Sequence, residues 1–259
     1  MLALERRNLI IEKLQEEKRV VVSDLSREFG VSEETIRRDL ERLDRDGIAK
    51  KSYGGAVFNE SNSIDMPFNV RQKRNVIGKQ KIADLVAGMI EDGDHIMLDA
   101  STTAVFIAKA IKDKRNLTVV TNSIEILIEL SDVSDWTIIS SGGSLKEGYL
   151  ALVGPKAVDG LSAFNVEKAF FSCKGIHTEK GITEGNDLFA QTKTVMMHSA
   201  EKRYLTVDSS KFGRIGFSKV CDADEVDVIV TDEEPDPTWR DFCERNRIQL
   251  IYPDSKDEM

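Results

Sequence analysis

The sequence contains few cysteines, few prolines and no long apolar run. Its three cysteines are widely spaced and odd in number, so neither a disulfide framework nor a CxxC metal site is available. Apolar runs stop well short of the roughly 18 residues that a membrane-spanning helix needs. The charged N-terminus also lacks the apolar core of an export signal. We therefore expect a protein of the reducing cytoplasm that is not associated with a membrane.

The composition is otherwise that of an ordinary globular protein. Hydrophobic residues make up 41% of the chain, with 17 glycines and 5 prolines, which excludes collagen-like and disordered proteins. A length of 259 residues favours two domains. The three histidines lie far apart with no Cys or His at ligand spacing, so we expect no metal site.

The net charge of −9 predicts repulsion from nucleic acid unless basic side chains are concentrated in one segment. Residues 1–58 contain 12 Lys and Arg against 12 Asp and Glu, and residues 59–220 contain 20 against 20. Residues 221–259 contain 4 against 13. The acidic excess therefore belongs to the C-terminal segment and leaves the N-terminal segment neutral as a whole.

A change of hydrophobic pattern divides the chain. Residues 1–58 show short helical patterns, whereas apolar runs of four to six residues alternate with helical patterns over residues 75–259. The second pattern is typical of an α/β domain with a largely parallel sheet. The stretch between them begins with polar residues and a proline, and we predict a linker over residues 59–74. The predicted strands are 95–99, 117–121, 136–140, 168–172, 204–208, 227–231 and 247–252.

The N-terminal segment has the pattern of a helix-turn-helix followed by a hairpin. Gly30 suits the end of one helix, and Ser32 is a suitable N-cap for a second helix over residues 33–46. Gly47 ends that helix, and two short strands follow around a turn at Gly54. The hairpin would form the wing of a winged helix.

Polar and basic side chains cover the outer face of the second helix, because its apolar stripe faces inward. Side chains near the helix start can reach base edges in a major groove, and lysines on the wing are suited to phosphate contacts. The expected DNA-contacting residues are Ser23, Ser32, Thr35, Arg37, Arg38, Arg42, Lys50, Lys51 and Tyr53. A small helical bundle with a solvated basic face is the alternative interpretation of the same pattern.

The N-terminal segment carries a specific set of motifs. They are Val31-Ser32, Thr35-Ile36-Arg37-Arg38-Asp39-Leu40, Leu43, Gly47 and Gly54-Gly55-Ala56. Through them, residues 6–58 closely resemble the N-terminal domain of the DeoR family of bacterial transcriptional regulators. The resemblance implies a winged helix-turn-helix domain at residues 1–58 that binds double-stranded operator DNA.

Small polar and charged residues follow the predicted strands, at the edge of an open α/β sheet where ligands bind. The expected effector-contacting residues are Asp99, Ser101, Thr102, Thr103, Thr121, Asn122, Gly142, Gly143, Lys174, Glu184, Asp208 and Lys211. Hydroxyls at a helix start suit a phosphate, carboxylates accept hydrogen bonds from sugar hydroxyls, and lysines pair with phosphate. Each motif alone is more often a cap or a turn. The prediction depends on all of them meeting at one edge.

The C-terminal segment also carries recognisable motifs. They are Ile77-Gly78-Lys79, Asp99-Ala100-Ser101-Thr102-Thr103, Thr121-Asn122, Gly142-Gly143, Gly154, Lys174-Gly175-Ile176, Gly181, Lys193 and Asp208 to Gly213. Residues 75–232 thereby resemble the sensor domain of the same family, which shares its fold with ribose-5-phosphate isomerase and CoA transferases. The resemblance implies a Rossmann-like α/β sensor domain of the ribose-5-phosphate isomerase/CoA transferase type, with a phosphorylated sugar as effector.

The sequence has no GxGxxG, GxxxxGK[ST], HExxH or GxSxG motif, so we expect no cofactor and no enzyme. A sugar-phosphate isomerase-like enzyme with an accessory winged-helix domain is the main alternative, with Glu184 or Asp208 as general base. A protein-interaction adaptor that uses the acidic C-terminal residues is a third.

Taken together, these patterns predict a cytoplasmic transcriptional regulator, in the simplest case a repressor of a sugar-metabolism operon. Because one winged helix reads few base pairs, operator specificity requires a homo-oligomer, either a dimer or a tetramer. A phosphorylated sugar would modulate its binding to the operator.

Overall fold

The computed structural model describes residues 2–45, 48–59 and 66–253. The chain forms two compact units, Met1–Arg74 and Asn75–Met259. The predicted end of the second helix, at Asp46 and Gly47, lies outside the described residues.

The N-terminal unit combines helices with a small antiparallel sheet. Its described elements are α1 (Ala3–Glu17), β1 (Arg19–Val21), α2 (Val22–Phe29), α3 (Glu33–Arg45), β2 (Ala49–Ser52), β3 (Gly55–Phe58) and α4 (Phe68–Gln72). The strands pair in the order β1-β3-β2. Helices α2 and α3 are the predicted helix-turn-helix, and β2 and β3 are the predicted wing. Strand β1 was not predicted, because three residues carry too little alternation to indicate a strand.

The turn between α2 and α3 is formed as its sequence predicts. Gly30 has a left-handed φ of 64° and donates its N–H to the carbonyl of Ser26. The Ser32 hydroxyl accepts a hydrogen bond from the Thr35 N–H at 3.2 Å, which satisfies a free donor at the start of α3. Ile36, Leu40 and Leu43 of α3 are fully buried in the core of this unit, together with residues of α1.

The described part of the predicted linker is helical and packed. Positions 60–65 of that linker lie outside the described residues. Met66 and Val70 are buried in the hydrophobic core of the N-terminal unit, and Lys73 pairs with Glu12 of α1 at 2.6 Å. Residues 66–74 therefore belong to the N-terminal unit. The sequence did not predict this, because the polar composition of residues 59–65 obscures the apolar face of α4.

The C-terminal unit alternates strands and helices along the chain. Its described elements are α5 (Val76–Ala87), β4 (His95–Leu98), α6 (Thr102–Ala110), β5 (Thr118–Thr121), α7 (Ile124–Glu129), β6 (Thr137–Ser140), β7 (Ser144–Lys146), β8 (Ala151–Val153), α8 (Pro155–Ser162), β9 (Val166–Phe171), β10 (Gly175–His177), β11 (Gly181–Glu184), α9 (Asp187–His198), β12 (Ala200–Thr206), a 3-10 turn (Ser209–Lys211), β13 (Ser218–Cys221), β14 (Val228–Val230), α10 (Pro237–Asn246) and β15 (Gln249–Ile251).

Within residues 66–253, seven strands form a parallel sheet in the order β15-β14-β12-β9-β4-β5-β6. All seven predicted apolar runs are strands of this sheet. The inner strands are buried on both faces and therefore read as continuous apolar runs, whereas the edge strands β6 and β15 are only partly buried. Phe170, Phe171 and Leu205 of its central strands are fully buried. The residues that follow β5, β4, β9, β12 and β14 consequently succeed one another along one edge of the sheet.

Two smaller antiparallel sheets, β7-β8 and β10-β11-β13, are built from the connections of the C-terminal unit. Cys173, Cys221 and Cys243 are buried and unpaired. Among the described residues, no helix combines the length and apolar character needed to cross a lipid bilayer.

Candidate DNA-contacting and effector-binding residues

Helix α3 presents its predicted base-reading arginines to solvent, but each is paired with a glutamate one turn earlier. Arg37 donates to the Glu33 carboxylate at 2.5 Å, and Arg38 donates to the Glu34 carboxylate at 3.3 Å. Exposed pairs of this kind are weak, so a DNA phosphate or base can replace the glutamate. This pairing was not predicted from the sequence, although the i,i+4 spacing of each glutamate and its arginine indicates it.

Hydroxyl groups at the start of α3 have local partners. The hydroxyls of Ser32 and Thr35 lie 2.9 Å apart, and Ser32 also caps the helix. Ser23 is on α2, where its hydroxyl lies 3.5 Å from the Asp24 carboxylate. Arg42 is exposed one turn after Arg38.

The two wing lysines occupy different environments. Lys51 binds the Glu41 carboxylate at 2.9 Å, and its backbone N–H donates to Asp44 at 3.1 Å, so it connects the wing to α3. Lys50, the preceding residue, is exposed, and Tyr53 at the turn of the wing is entirely exposed. Lys51 therefore positions the wing, while Lys50 and Tyr53 are accessible to a phosphate backbone.

A buried ion pair that the sequence analysis missed holds α3 against α1. Arg6 donates to the Asp39 carboxylate at 2.6 Å, and both side chains are less than a tenth exposed. The available signal was the position of Asp39, three residues after Ile36 on the inward face of α3. This pair fixes the orientation of the helix that carries Arg37 and Arg38.

In the C-terminal unit, Lys193 is the centre of a buried cluster of charges. Its ammonium group binds the carboxylate of Asp99, the Glu184 carboxylate at 3.1 Å and the Ser172 carbonyl at 2.8 Å. Asp99 is 1% exposed and Lys193 is 6% exposed. Burial opposes the charged ammonium, but the two carboxylates outweigh it and raise the pKa of Lys193 above its ordinary value. Lys193 entered the sequence analysis only through the family motifs.

Asp99 also organises the strand ends around it. Its carboxylate accepts hydrogen bonds from the N–H groups of Ser172 at 3.0 Å and Ser101 at 3.1 Å. The Ser101 hydroxyl caps α6 by accepting from the Ala104 N–H at 3.0 Å. Thr102 and Thr103 are buried in the first turn of the same helix. These residues form a polar floor where β4 and β9 end.

The side chains of the predicted residues at the end of β5 form hydrogen bonds mainly within the protein. The Thr121 hydroxyl donates to the Leu98 carbonyl at 2.7 Å, and the Asn122 amide donates to the Leu152 carbonyl at 3.0 Å. Asn122 is 2% exposed, and its Oδ1 has no hydrogen-bond partner, the one such buried side-chain atom in the described parts of the chain. Buried polar atoms rarely remain unsatisfied in a folded protein.

Glycine is present at the two positions after Ser140-Ser141, at the end of β6, for different structural reasons. Both have positive φ values, 66° at Gly142 and 108° at Gly143. A Cβ at Gly143 would lie 2.8 Å from the Cβ of Ala157 and from the Val153 carbonyl, whereas Gly142 has open space around it. Gly143 is thus required for packing against α8.

The turn after β12 adds a second group of charges. Lys211 lies 3.9 Å from the Asp208 carboxylate, which also accepts hydrogen bonds from the backbone and hydroxyl of Ser210. Burial raises the pKa of the Cys173 thiol, which is also influenced by the charges of Glu184, Lys211 and Lys193. Lys174, half-buried, follows Cys173 and is anchored through its N–H to the Thr183 carbonyl.

Comparison with known proteins identifies both units. The family described as "DeoR-like helix-turn-helix domain" matches residues 6–62, and the family described as "DeoR C terminal sensor domain" matches residues 74–233. The chain belongs to the DeoR family. Its helix-turn-helix domain implies DNA binding, and its sensor domain implies a small effector.

Full-length relatives of this DeoR-family protein are described as regulators. The HTH-type transcriptional regulator YulB of Bacillus subtilis, itself described as uncharacterized, is 40% identical over 250 residues, which are 96% of each chain. The L-fucose operon activator of Haemophilus influenzae is 31% identical over 95% of this chain and 98% of its own. These relatives are regulators and not enzymes, which confirms the choice of a regulator over an isomerase.

Among solved structures, the chain is similar to ribose 5-phosphate isomerase A from Methanocaldococcus jannaschii. The TM-score is 0.38 at 16% identity, with coverage of 52% of this chain and 53% of the isomerase.

Proposed function

We propose that the protein binds a specific operator duplex through α3 and the wing, and that a phosphorylated sugar bound at the carboxyl edge of the parallel sheet changes its affinity for that duplex. The observation that carries the proposal is the buried Asp99–Lys193–Glu184 cluster at this edge. Removing three charged side chains from water is costly, and burial of this kind is common at functional sites.

The chemistry at this edge suits a sugar phosphate. Carboxylates of Glu184 and Asp208 accept hydrogen bonds from hydroxyl groups, and the ammonium groups of Lys174 and Lys211 neutralise a phosphate. The N-terminus of α6 adds backbone donors beside Asp99. Thr121 and Asn122, at the end of the neighbouring strand β5, extend the polar floor around Asp99.

On the DNA, Arg37 and Arg38 exchange their glutamate partners for base edges, and Lys50 and Tyr53 contact phosphates. A homo-oligomer, a dimer or a tetramer, provides the pair of winged helices that bind the two half-sites of an operator, as specificity requires. A protein bound over a promoter excludes polymerase, so repression of a sugar-metabolism operon is the simplest outcome. One relative is described as an activator of an operon, so whether binding represses or activates transcription depends on where the operator lies.

The test begins with full-length protein and a random duplex library, from which a binding site is selected. Affinity for the selected duplex is then measured with glucose 6-phosphate, fructose 1-phosphate, fructose 6-phosphate, ribose 5-phosphate, inorganic phosphate and the unphosphorylated sugars. We expect one sugar phosphate to change the affinity at least about fivefold, the lower end of ordinary coupling. Failure to select any sequence, or equal affinity under all additions, would overturn the proposal.

A further inference from the structure

Asp232 joins two segments of the C-terminal unit that are far apart in sequence. One oxygen of its carboxylate accepts a hydrogen bond from the Ser209 N–H at 2.7 Å. The other oxygen accepts from the side-chain amide of Asn75 at 2.8 Å. Asp232 is 7% exposed, so neither bond is weakened by bulk water. Neither Asp232 nor the side chain of Asn75 was predicted from the sequence as a functional group.

Asn75 is the first residue of the C-terminal unit. Its backbone is left-handed, with a φ of 43° and a ψ of 49°, and its side-chain oxygen accepts the Gly78 N–H at 3.2 Å to cap α5. Asn adopts the left-handed conformation more readily than other residues with a side chain, and here its amide is held on both sides, by the Gly78 N–H and by the Asp232 carboxylate. The Asp232 contact therefore contributes to holding the backbone where the sensor unit begins.

Gly78 shows how closely these groups are packed. A Cβ at this position would lie 2.2 Å from the Asp232 carboxylate and 2.5 Å from the Asn75 amide nitrogen. Gly78 is within α5, where alanine is otherwise favourable. The contact therefore has no free space in which Asn75 and Asp232 can move independently.

Ser209 connects this contact to the proposed effector site. It lies between Asp208 and Lys211, the two charged residues of the turn after β12. A ligand that binds both Asp208 and Lys211 would contact the turn on either side of the Ser209 N–H. The same carboxylate that holds this N–H also holds Asn75.

We propose that Asp232 is the positioning residue through which the effector-binding turn controls the backbone at Asn75, and through it the affinity of the N-terminal unit for DNA. The inference rests on the proposed function, because it specifies how the effector signal leaves the site. Coupling requires one element that both sites bias, and the hydrogen bonds of Asp232 connect the effector-binding turn at Ser209 to Asn75.

The test is an exchange of the two hydrogen-bonding groups in the full chain. Asn75→Asp removes the donor while keeping the cap on Gly78, and Asp232→Asn removes the second acceptor while keeping an oxygen for Ser209. Asn75→Asp leaves two carboxylates facing each other and Asp232→Asn leaves two amides, so neither single variant keeps the native amide-to-carboxylate bond between positions 75 and 232. The double variant Asn75→Asp/Asp232→Asn restores it with its direction reversed.

The measured quantity is the ratio of affinities for the selected duplex without and with the sugar phosphate from the panel that affects the wild type. We expect a ratio of at least about fivefold in the wild type and in the double variant, and less than about twofold in either single variant. Calorimetry should show the single variants binding that sugar phosphate within about threefold of wild type, which shows that the site itself is intact. Gly78→Ala should reduce the ratio in the same way.

Asp227→Asn is the matched control. Asp227 precedes the same strand, β14, and binds Arg203 at 2.8 Å at the opposite edge of the sheet. It should lower the melting temperature without changing the affinity ratio. A full ratio in both single variants, or a double variant as uncoupled as they are, would overturn the role of Asp232. A wild type that responds to no sugar phosphate would overturn the proposed function itself.

Discussion

The ammonium group of Lys193 binds the carboxylate of Asp99 at a position where both side chains are almost inaccessible to water. The two residues are 94 positions apart in sequence. Because the pKa of Lys193 is raised, the ammonium group remains charged throughout the physiological range. The contact joins α9 to the end of β4, and Glu184, at the end of β11, binds the same ammonium group. The ion pair therefore determines the arrangement of the proposed effector site.

Lys193→Met should destabilise the protein strongly, because it leaves two buried carboxylates without a cation. Breaking a buried pair in this way costs about 3–5 kcal/mol. Urea unfolding monitored by circular dichroism measures the change. Lys168→Met is the control, since Lys168 pairs with Asp94 at 2.5 Å in a more exposed position, and it should cost distinctly less. A loss below about 1 kcal/mol for Lys193→Met would show that the cluster is not held by charge.

Arg38→Ala should reduce affinity for the selected operator by about 1–3 kcal/mol and relax base preference at one position, if Arg38 reads a base. Glu34→Gln is the companion variant, because it removes the carboxylate that binds Arg38 in the free protein and a negative charge that faces the phosphates. It should leave affinity unchanged or raise it. Electrophoretic mobility shifts with single-base operator variants measure both effects, and undiminished discrimination in Arg38→Ala would exclude the base contact.

The two wing lysines should respond differently to alanine substitution. Lys50→Ala should weaken binding to all duplexes about equally and reduce the salt dependence by about one ion, as expected for a phosphate contact. Lys51→Ala should instead leave the salt slope nearly unchanged, because Lys51 already pairs with Glu41. The measurement is the slope of log affinity against log salt concentration. Equal slope changes for both variants would contradict the different roles.

The three thiols should be protected in the folded protein. Burial raises the pKa of Cys221 to about 12 and of Cys243 to about 11, and it raises the pKa of Cys173 as well. Because the thiolate is the reactive form, iodoacetamide at pH 8 should modify none of them before unfolding and all three in guanidinium chloride, as mass spectrometry can show.

The same shifts make the protein less stable in alkali. The pKa values are raised in the folded state, so the thiols contribute fully to the free energy of unfolding below their ordinary pKa of about 8.5 and progressively less as the pH rises toward 11.

In the alkylation experiment, modification of the native protein within minutes at pH 8 would contradict the burial of the thiols.

The sequence predicted the elements that carry an apolar run or a strong turn signal. The seven strands of the parallel sheet and the turn at Gly30 were predicted because apolar runs and a glycine at a helix end have few alternative structures. β7 and β10 each contain a single large apolar residue, Leu145 and Ile176, so they carry no apolar run that would indicate a strand. The apolar face of α4 was hidden beside a polar stretch.

The candidate site was only partly predictable for a different reason. The edge of the sheet follows from strand order, so Asp99 and Asp208 were named in advance. Lys193 and Asp232 act through partners 94 and 157 residues away, and such contacts exist only after folding. The pairing of Arg38 with Glu34 was readable from its i,i+4 spacing.

The most direct test of the account is the response of Lys211→Ala to the sugar phosphate that affects the wild type on the selected operator. Lys211 lies in the C-terminal unit and is expected to bind the phosphate, not DNA. The account predicts wild-type affinity for the duplex and loss of the change of at least about fivefold that the sugar phosphate causes in the wild type. A variant that responds as the wild type does would contradict it, and so would a variant that no longer binds the duplex.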